Sequence, residues 1–119
     1  MQSTTKATQK QHTAASGATV TALHFTGDIS SASREAVLGT YQALDQTVHP
    51  VLLLDFKGVE YLNSSGIALV IQVLMAAAKA SQKVAISGLT AHFIKVFTMV
   101  GITKYATLYP DEPTALAAL

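Results

Sequence analysis

Between His49-Pro50 and Lys57-Gly58 lies Val51-Leu52-Leu53-Leu54-Asp55-Phe56, a short and nearly unbroken apolar run. A run of this kind is the pattern of a strand covered on both faces, because neither side chain direction can be left to water. Such a strand requires neighbours in a sheet and a further layer above and below it. Two more short runs fit the same role: the β-branched-rich Thr19-Val20-Thr21-Ala22-Leu23-His24-Phe25-Thr26 and Lys83-Val84-Ala85-Ile86-Ser87. Tyr105-Ala106-Thr107-Leu108-Tyr109 reads as a last strand, and Tyr61-Leu62-Asn63 is short and extended at most.

Helical spacing fills the gaps. Ser30 or Ser31 can cap a helix carrying Arg34, Glu35, Val37, Leu38, Tyr41 and Leu44. It should stop before His49-Pro50, since the residue before proline disfavours the α region. The most apolar helix opens at Ser64-Ser65-Gly66 and runs to about Ala80, Thr90 caps another carrying Phe93, Ile94, Val96 and Phe97, and Pro110-Asp111-Glu112-Pro113 starts a short terminal one. Alternation of this kind predicts an α/β domain with a mostly parallel sheet of about four to five strands and about four helices. The expected core is Val20, Leu23, Phe25, Val37, Leu44, Leu52, Leu53, Leu54, Ile67, Val70, Ile71, Leu74, Val84, Ile86, Phe93, Phe97 and Leu108. Residues 1–16 are rich in Thr, Gln, Ser and Ala; they are expected as a flexible polar tail or as a weak edge strand near Thr8 to Ala14, with the domain spanning 17–119.

Composition narrows the function. With 119 residues, half of them hydrophobic and 13% charged, the chain suits one domain with an ordinary core and does not match a disordered polymer. No cysteine means no disulfide framework, thiolate metal site or cysteine nucleophile. A formal charge of +1, with Lys57, Lys79, Lys83, Lys95 and Lys104 scattered, gives no basic stripe for nucleic acid. The first sixteen residues contain no apolar secretion segment. The twelve-residue stretch from Ile67 to Ala78 falls short of the roughly 20 apolar residues that a transmembrane helix needs. A cytoplasmic protein is expected.

In α/β sheets, sites gather at the carboxyl ends of strands. Three segments qualify: Gly27-Asp28-Ile29-Ser30, Asp55 to Gly66, and Ser87-Gly88-Leu89-Thr90. Asn63-Ser64-Ser65-Gly66 is the most informative. At a helix N-terminus Ser64 is placed as a cap, the common use of serine there, and a phosphate on it would meet unpaired N–H groups and a favourable dipole. At about 100° per residue, Ile67, Val70, Ile71, Leu74 and Ala78 share one face of the helix, with Ser65, Ala68, Leu69, Gln72, Ala76 and Lys79 towards the other. That second face is also rather apolar, so partial exposure is expected around Leu69, Gln72 and Ala76. Asp55 ends a central strand, as a phosphoryl-accepting aspartate would; the cluster of acids that holds magnesium in such sites is missing, and a structural role is the plainer reading. His12, His24, His49 and His92 lack ligand spacing, so a metal site would need convergence of separate segments with carboxylates, and no metal or cofactor is expected. No Gly-rich phosphate loop and no Gly-x-Ser-x-Gly elbow occurs.

The stretch Leu54-Asp55-Phe56-Lys57-Gly58-Val59-Glu60-Tyr61-Leu62-Asn63-Ser64-Ser65-Gly66-Ile67-Ala68 resembles the signature of STAS domains, the sulfate-transporter and anti-sigma-factor-antagonist family. Gly27-Asp28-Ile29-Ser30 is similar to that family's Gly-Glu-Leu-Asp segment, and Phe93-Ile94-Lys95-Val96-Phe97 with Val100-Gly101-Ile102 to its late helix and turn. The likeness covers roughly residues 17–119. It implies a binding module, not an enzyme: an anti-sigma factor antagonist that docks on an anti-sigma factor serine kinase, is switched off by phosphorylation of Ser64, is restored by a serine phosphatase, and so regulates transcription. On that analogy Asp28, Ser30, Asn63, Ser65, Gly66, Leu69 and Gln72 are candidate partner-binding positions. Asn63 and Ser30 stand where the family commonly has aspartate, and both remove a negative charge near Ser64. Two alternatives stay open: a STAS subunit of a stressosome-like or lipid-transport assembly that is never phosphorylated, and a phosphoryl-accepting or small-ligand-binding α/β protein using Asp55 and Asp28. Self-association is left open as well.

Overall fold

The computed structural model describes residues 5–45 and 48–119. Five strands, β1 (Lys6–Thr13), β2 (Thr19–Thr26), β3 (Val51–Gly58), β4 (Lys83–Ser87) and β5 (Thr107–Tyr109), form one sheet in the order β1-β2-β3-β4-β5. β1 pairs antiparallel with β2, and every other pairing is parallel. The helices are α1 (Thr40–Gln42), α2 (Ser64–Lys79), α3 (Ala91–Met99) and α4 (Glu112–Ala118).

The apolar run at β3 is central and buried from Leu52 to Phe56. Alternation along it separates two cores. Leu52, Leu54 and Phe56 join Leu23, Phe25, Val84 and Ile86 beneath Tyr41, Val70, Leu74, Phe93 and Phe97. Leu53 joins Val20, Ala22 and Ala85 on the opposite face, where Ala115 and Leu119 of the α4 segment cover them. Full burial of each such Leu or Phe contributes about 1.5–3 kcal/mol, so the thicker first layer dominates stability. Of the expected core, Ile67, Ile71 and Leu108 are only half-buried.

Two expectations change. The polar segment over 1–16, expected as a flexible tail or as a weak edge strand near Thr8 to Ala14, contains the edge strand β1, which starts earlier and pairs with β2 along its whole length from Lys6↔Thr26 to Thr13↔Thr19. It is anchored at both ends. Thr5 Oγ1 donates to the Asp28 carbonyl at 2.6 Å, and beyond the strand the Ala15 N–H donates to the Leu116 carbonyl at 3.1 Å. Polar side chains suit an edge strand with one face in water, and Lys6 and Lys10 on it discourage further pairing. The helix expected from Ser30 is instead a 3₁₀ turn (Ser31–Ser33), a π-helical stretch (Glu35–Gly39) and α1, whose changing pitch keeps Val37, Leu38 and Tyr41 inward. Its expected continuation to His49 includes residues 46–47, which lie outside the described residues. Among the described residues, no helix is long and apolar enough to cross a membrane.

Candidate functional site

After β2 the chain turns at Gly27 and buries Ile29, which forms an isolated parallel bridge with Leu62. The Ile29 N–H donates to the Tyr61 carbonyl at 3.0 Å, and the Asn63 N–H donates to the Ile29 carbonyl at 3.2 Å. Val59 and Leu62 are buried in the main core. Residues 28–30 and 61–63 thus form one stitched ledge at the carboxyl ends of β2 and β3, and α2 starts from it.

Asn63, not Ser64, caps α2. Its backbone is extended, and its Oδ1 accepts from the Gly66 N–H at 2.8 Å. An Asn in this position satisfies one of the unpaired N–H groups of the first turn as well as an Asp would, without the charge. Ser64 is therefore released from capping. It is the first residue of α2 and is exposed, as is Ser65. Gly66 is required by close approach: a Cβ there would lie 2.2 Å from the Ile29 carbonyl oxygen. It shapes the ledge and is buried, so it offers no surface to a partner.

The remaining candidates divide. Asp28 is exposed. Ser30 is half-buried and engaged in its own turn: its Oγ accepts from the Ala32 N–H at 3.3 Å, and its N–H donates to Ser33 Oγ at 2.9 Å. Gln72 is exposed. Leu69 is a correction: it is 4% exposed and belongs to the main core. The buried face of α2 is Gly66, Leu69, Val70, Val73, Leu74 and Ala77, rotated from the expected one because the Gly66–Ile29 contact sets the helix against the sheet. The outward stripe is Ser64, Ala68, Gln72 and Met75, flanked by half-buried Ile67 and Ile71. It ends in a shallow groove of about 350 Å³ lined by Arg34, Leu38, Gln42, Ile71, Gln72, Met75, Ala76 and Lys79. Met75, 44% exposed, is an apolar member of this surface that the sequence alone does not single out; Tyr61, 56% exposed, lies on the ledge in a T-shaped contact with Phe93.

Asp55 lies on the opposite face of the sheet. It is buried and accepts from Ser87 Oγ at 2.8 Å. It lines a cavity of about 510 Å³ together with His24, Lys57, Gly88, Asp111 and Glu112; Asp28 does not line it. Gly88, with φ +79°, turns so tightly there that a Cβ would meet the Lys57 nitrogen at 2.6 Å. Two histidines without ligand spacing do converge beside this cavity: His12 and His24 both face Glu112. The register of two antiparallel strands and the return of the last helix bring them together, and neither is visible as local spacing.

Comparison with known proteins agrees with this fold. No curated protein sequence matches the chain at a significant level. Among solved structures, an anti-sigma factor antagonist from Mycobacterium paratuberculosis superposes with a TM-score of 0.78 at 19% identity, covering 99% of this chain and 97% of that one. The anti-sigma factor antagonist SpoIIAA in its unphosphorylated form gives 0.66 at 13% identity, over 89% of each chain. The STAS domain of a SulP transporter from Vibrio cholerae gives 0.63 at 22% identity, over 76% of each. At these identities the likeness is one of fold. A family model described as "Mlab, STAS domain" matches residues 12–110, and the chain therefore belongs to the STAS domain family.

Proposed function

We propose that this STAS domain is a cytoplasmic anti-sigma factor antagonist that acts by docking and not by catalysis, and that Ser64 is its switch. The observation that carries the reading is the position of Ser64: exposed, outside the capping bond, and at the start of a sixteen-residue helix whose outward stripe leads to an apolar groove. Phosphorylation would add about −1.5 to −2 charges to that surface. The partial positive charge of the helix N-terminus tolerates the phosphate within the domain, so the fold persists while a closely fitted partner is expelled. Likeness to SpoIIAA, solved in both unphosphorylated and phosphorylated forms, supports the same logic. The partners are then an anti-sigma factor serine kinase and a serine phosphatase, meeting Asp28, Ser65, Gln72 and Met75 around Ser64, and the outcome is regulated transcription.

Incubation with ATP and the cognate kinase should label the wild type and not Ser64→Ala. Label that persists in Ser64→Ala and vanishes in Asp55→Asn would transfer the role to the aspartate. A second reading, a STAS subunit docking constitutively in a stressosome-like or lipid-transport assembly, draws on Asn63. The amide keeps the cap but leaves Ser64 without a neighbouring carboxylate at that position. A stable complex with no phosphate incorporation would select it.

A further inference from the structure

We propose that His12, His24 and Glu112 form a binding site for a divalent transition metal of the zinc type, on the face of the sheet opposite Ser64. The site is assembled from three elements. His12 on β1 stands opposite Val20, and His24 on β2 opposite Thr8, so pleating turns both rings to the side of the sheet that α4 covers. Asp111 caps α4, accepting from the Thr114 N–H at 2.8 Å, and this fixes the first turn that carries Glu112.

The carboxylate divides between the two rings. Glu112 Oε2 lies 2.5 Å from His24 Nε2, Glu112 Oε1 lies 3.7 Å from His12 Nε2, and one ligand atom from each of the three residues falls within 4.8 Å of the others. A tetrahedral ion with bonds of about 2.0–2.1 Å holds neighbouring ligand atoms about 3.3 Å apart. Closure around such an ion therefore requires the His24–Glu112 pair to part by less than about 1 Å and the wider-spaced ligand atoms to draw in by at most about 1.5 Å. All three side chains are half-buried, so their ligand atoms are partly withdrawn from water and still reachable.

A plain histidine–carboxylate hydrogen bond accounts for His24 and Glu112. It does not account for His12, whose Nε2 is buried with no hydrogen-bond partner. An orphaned polar atom of that kind carries a desolvation cost that a ligand would remove. Two imidazole nitrogens and one carboxylate suit zinc, nickel or copper(II), and not magnesium or calcium, which take oxygen ligands. Three protein ligands leave a fourth position for water, on the side of the cavity that His24 and Glu112 help to line.

Calorimetric titration of the untagged 119-residue chain with zinc chloride tests the site. One equivalent should bind, melting temperature should rise with zinc, and a chelator should reverse the rise. His12→Ala, His24→Ala and Glu112→Gln should each weaken binding at least ten-fold, while the exposed His92→Ala should not. Circular dichroism of each variant checks the fold, and cobalt(II) loading of the wild type should give the visible spectrum of a tetrahedral nitrogen–oxygen site. Absence of saturable binding in the wild type, or unchanged affinity in a folded His12→Ala, would overturn the proposal.

Discussion

Gly66 and Asn63 show how few atoms define the start of α2. The Gly66 Cα faces the Ile29 carbonyl so closely that Gly66→Ala has no room, and the obstacle is backbone, which cannot rotate away. The variant should lose about 1–3 kcal/mol of stability or more, read from the denaturant midpoint. Asn63 acts through its single capping bond. Asn63→Ala should cost about 0.5–2 kcal/mol, whereas Asn63→Asp should retain the cap and gain about 0.3–1 kcal/mol from the helix dipole. Paired unfolding curves of the two variants would separate the cap from the charge. Both residues are conspicuous in the sequence, where Asn-Ser-Ser-Gly before an apolar stretch marks a helix start. Which of them caps is not legible there, since Asn and Ser are both good caps, and the bridge from Ile29 to Leu62 decides it by fixing where helical geometry begins.

At the scale of the element, α2 is apolar nearly all round, and periodicity therefore identifies a helix without saying which side is inward. Packing against the sheet chooses Leu69 and Val73 for the core and leaves Met75 in water. Leu69→Ala should accordingly cost about 2–5 kcal/mol, and Leu69→Asp should unfold the domain and report nothing about docking. Met75→Asp is the informative change: the melting temperature should stay near that of the wild type while partner affinity falls, as measured by calorimetry. At the other end of the chain, the Asp111 carboxyl at the start of α4 is held below the usual carboxylate range, by the Thr114 side chain first and the Thr114 backbone N–H second. A carboxylate whose pKa is lower folded than unfolded stabilises above its ordinary value, and that contribution is lost as pH falls through the lowered one. Stability of the wild type relative to Asp111→Asn, which keeps a capping oxygen but does not titrate, should thus decline on acidification below about pH 4, as thermal melts across that range would show.

For the whole molecule, the sheet is a partition. Ser64, the α2 stripe and the groove lie on the side of the larger core; His12, His24, Glu112 and the Asp55 cavity lie on the side of α4. Sites separated by a packed sheet, with no shared side chain, should behave additively. Ser64→Asp should weaken partner association much more than it changes melting temperature and leave zinc affinity unaltered, and His12→Ala should leave docking unaltered; calorimetry on both variants and their combination checks this. Much of the arrangement is legible in the chain itself. The β3 run, the alternation of β and α segments, and the Asn63-to-Gly66 helix start follow from local rules of burial, period and capping, which act on residues near one another. The ordered β1 strand, the inward turn of Leu69 and the meeting of His12, His24 and Glu112 follow from contacts between residues far apart in the chain. β1 is polar and gains its order from pairing with β2 and from anchors at Asp28 and Leu116. Local sequence determined most of the elements and the region where α2 begins. Tertiary structure alone decided which faces they present, because side-chain direction is settled by what packs on the other side.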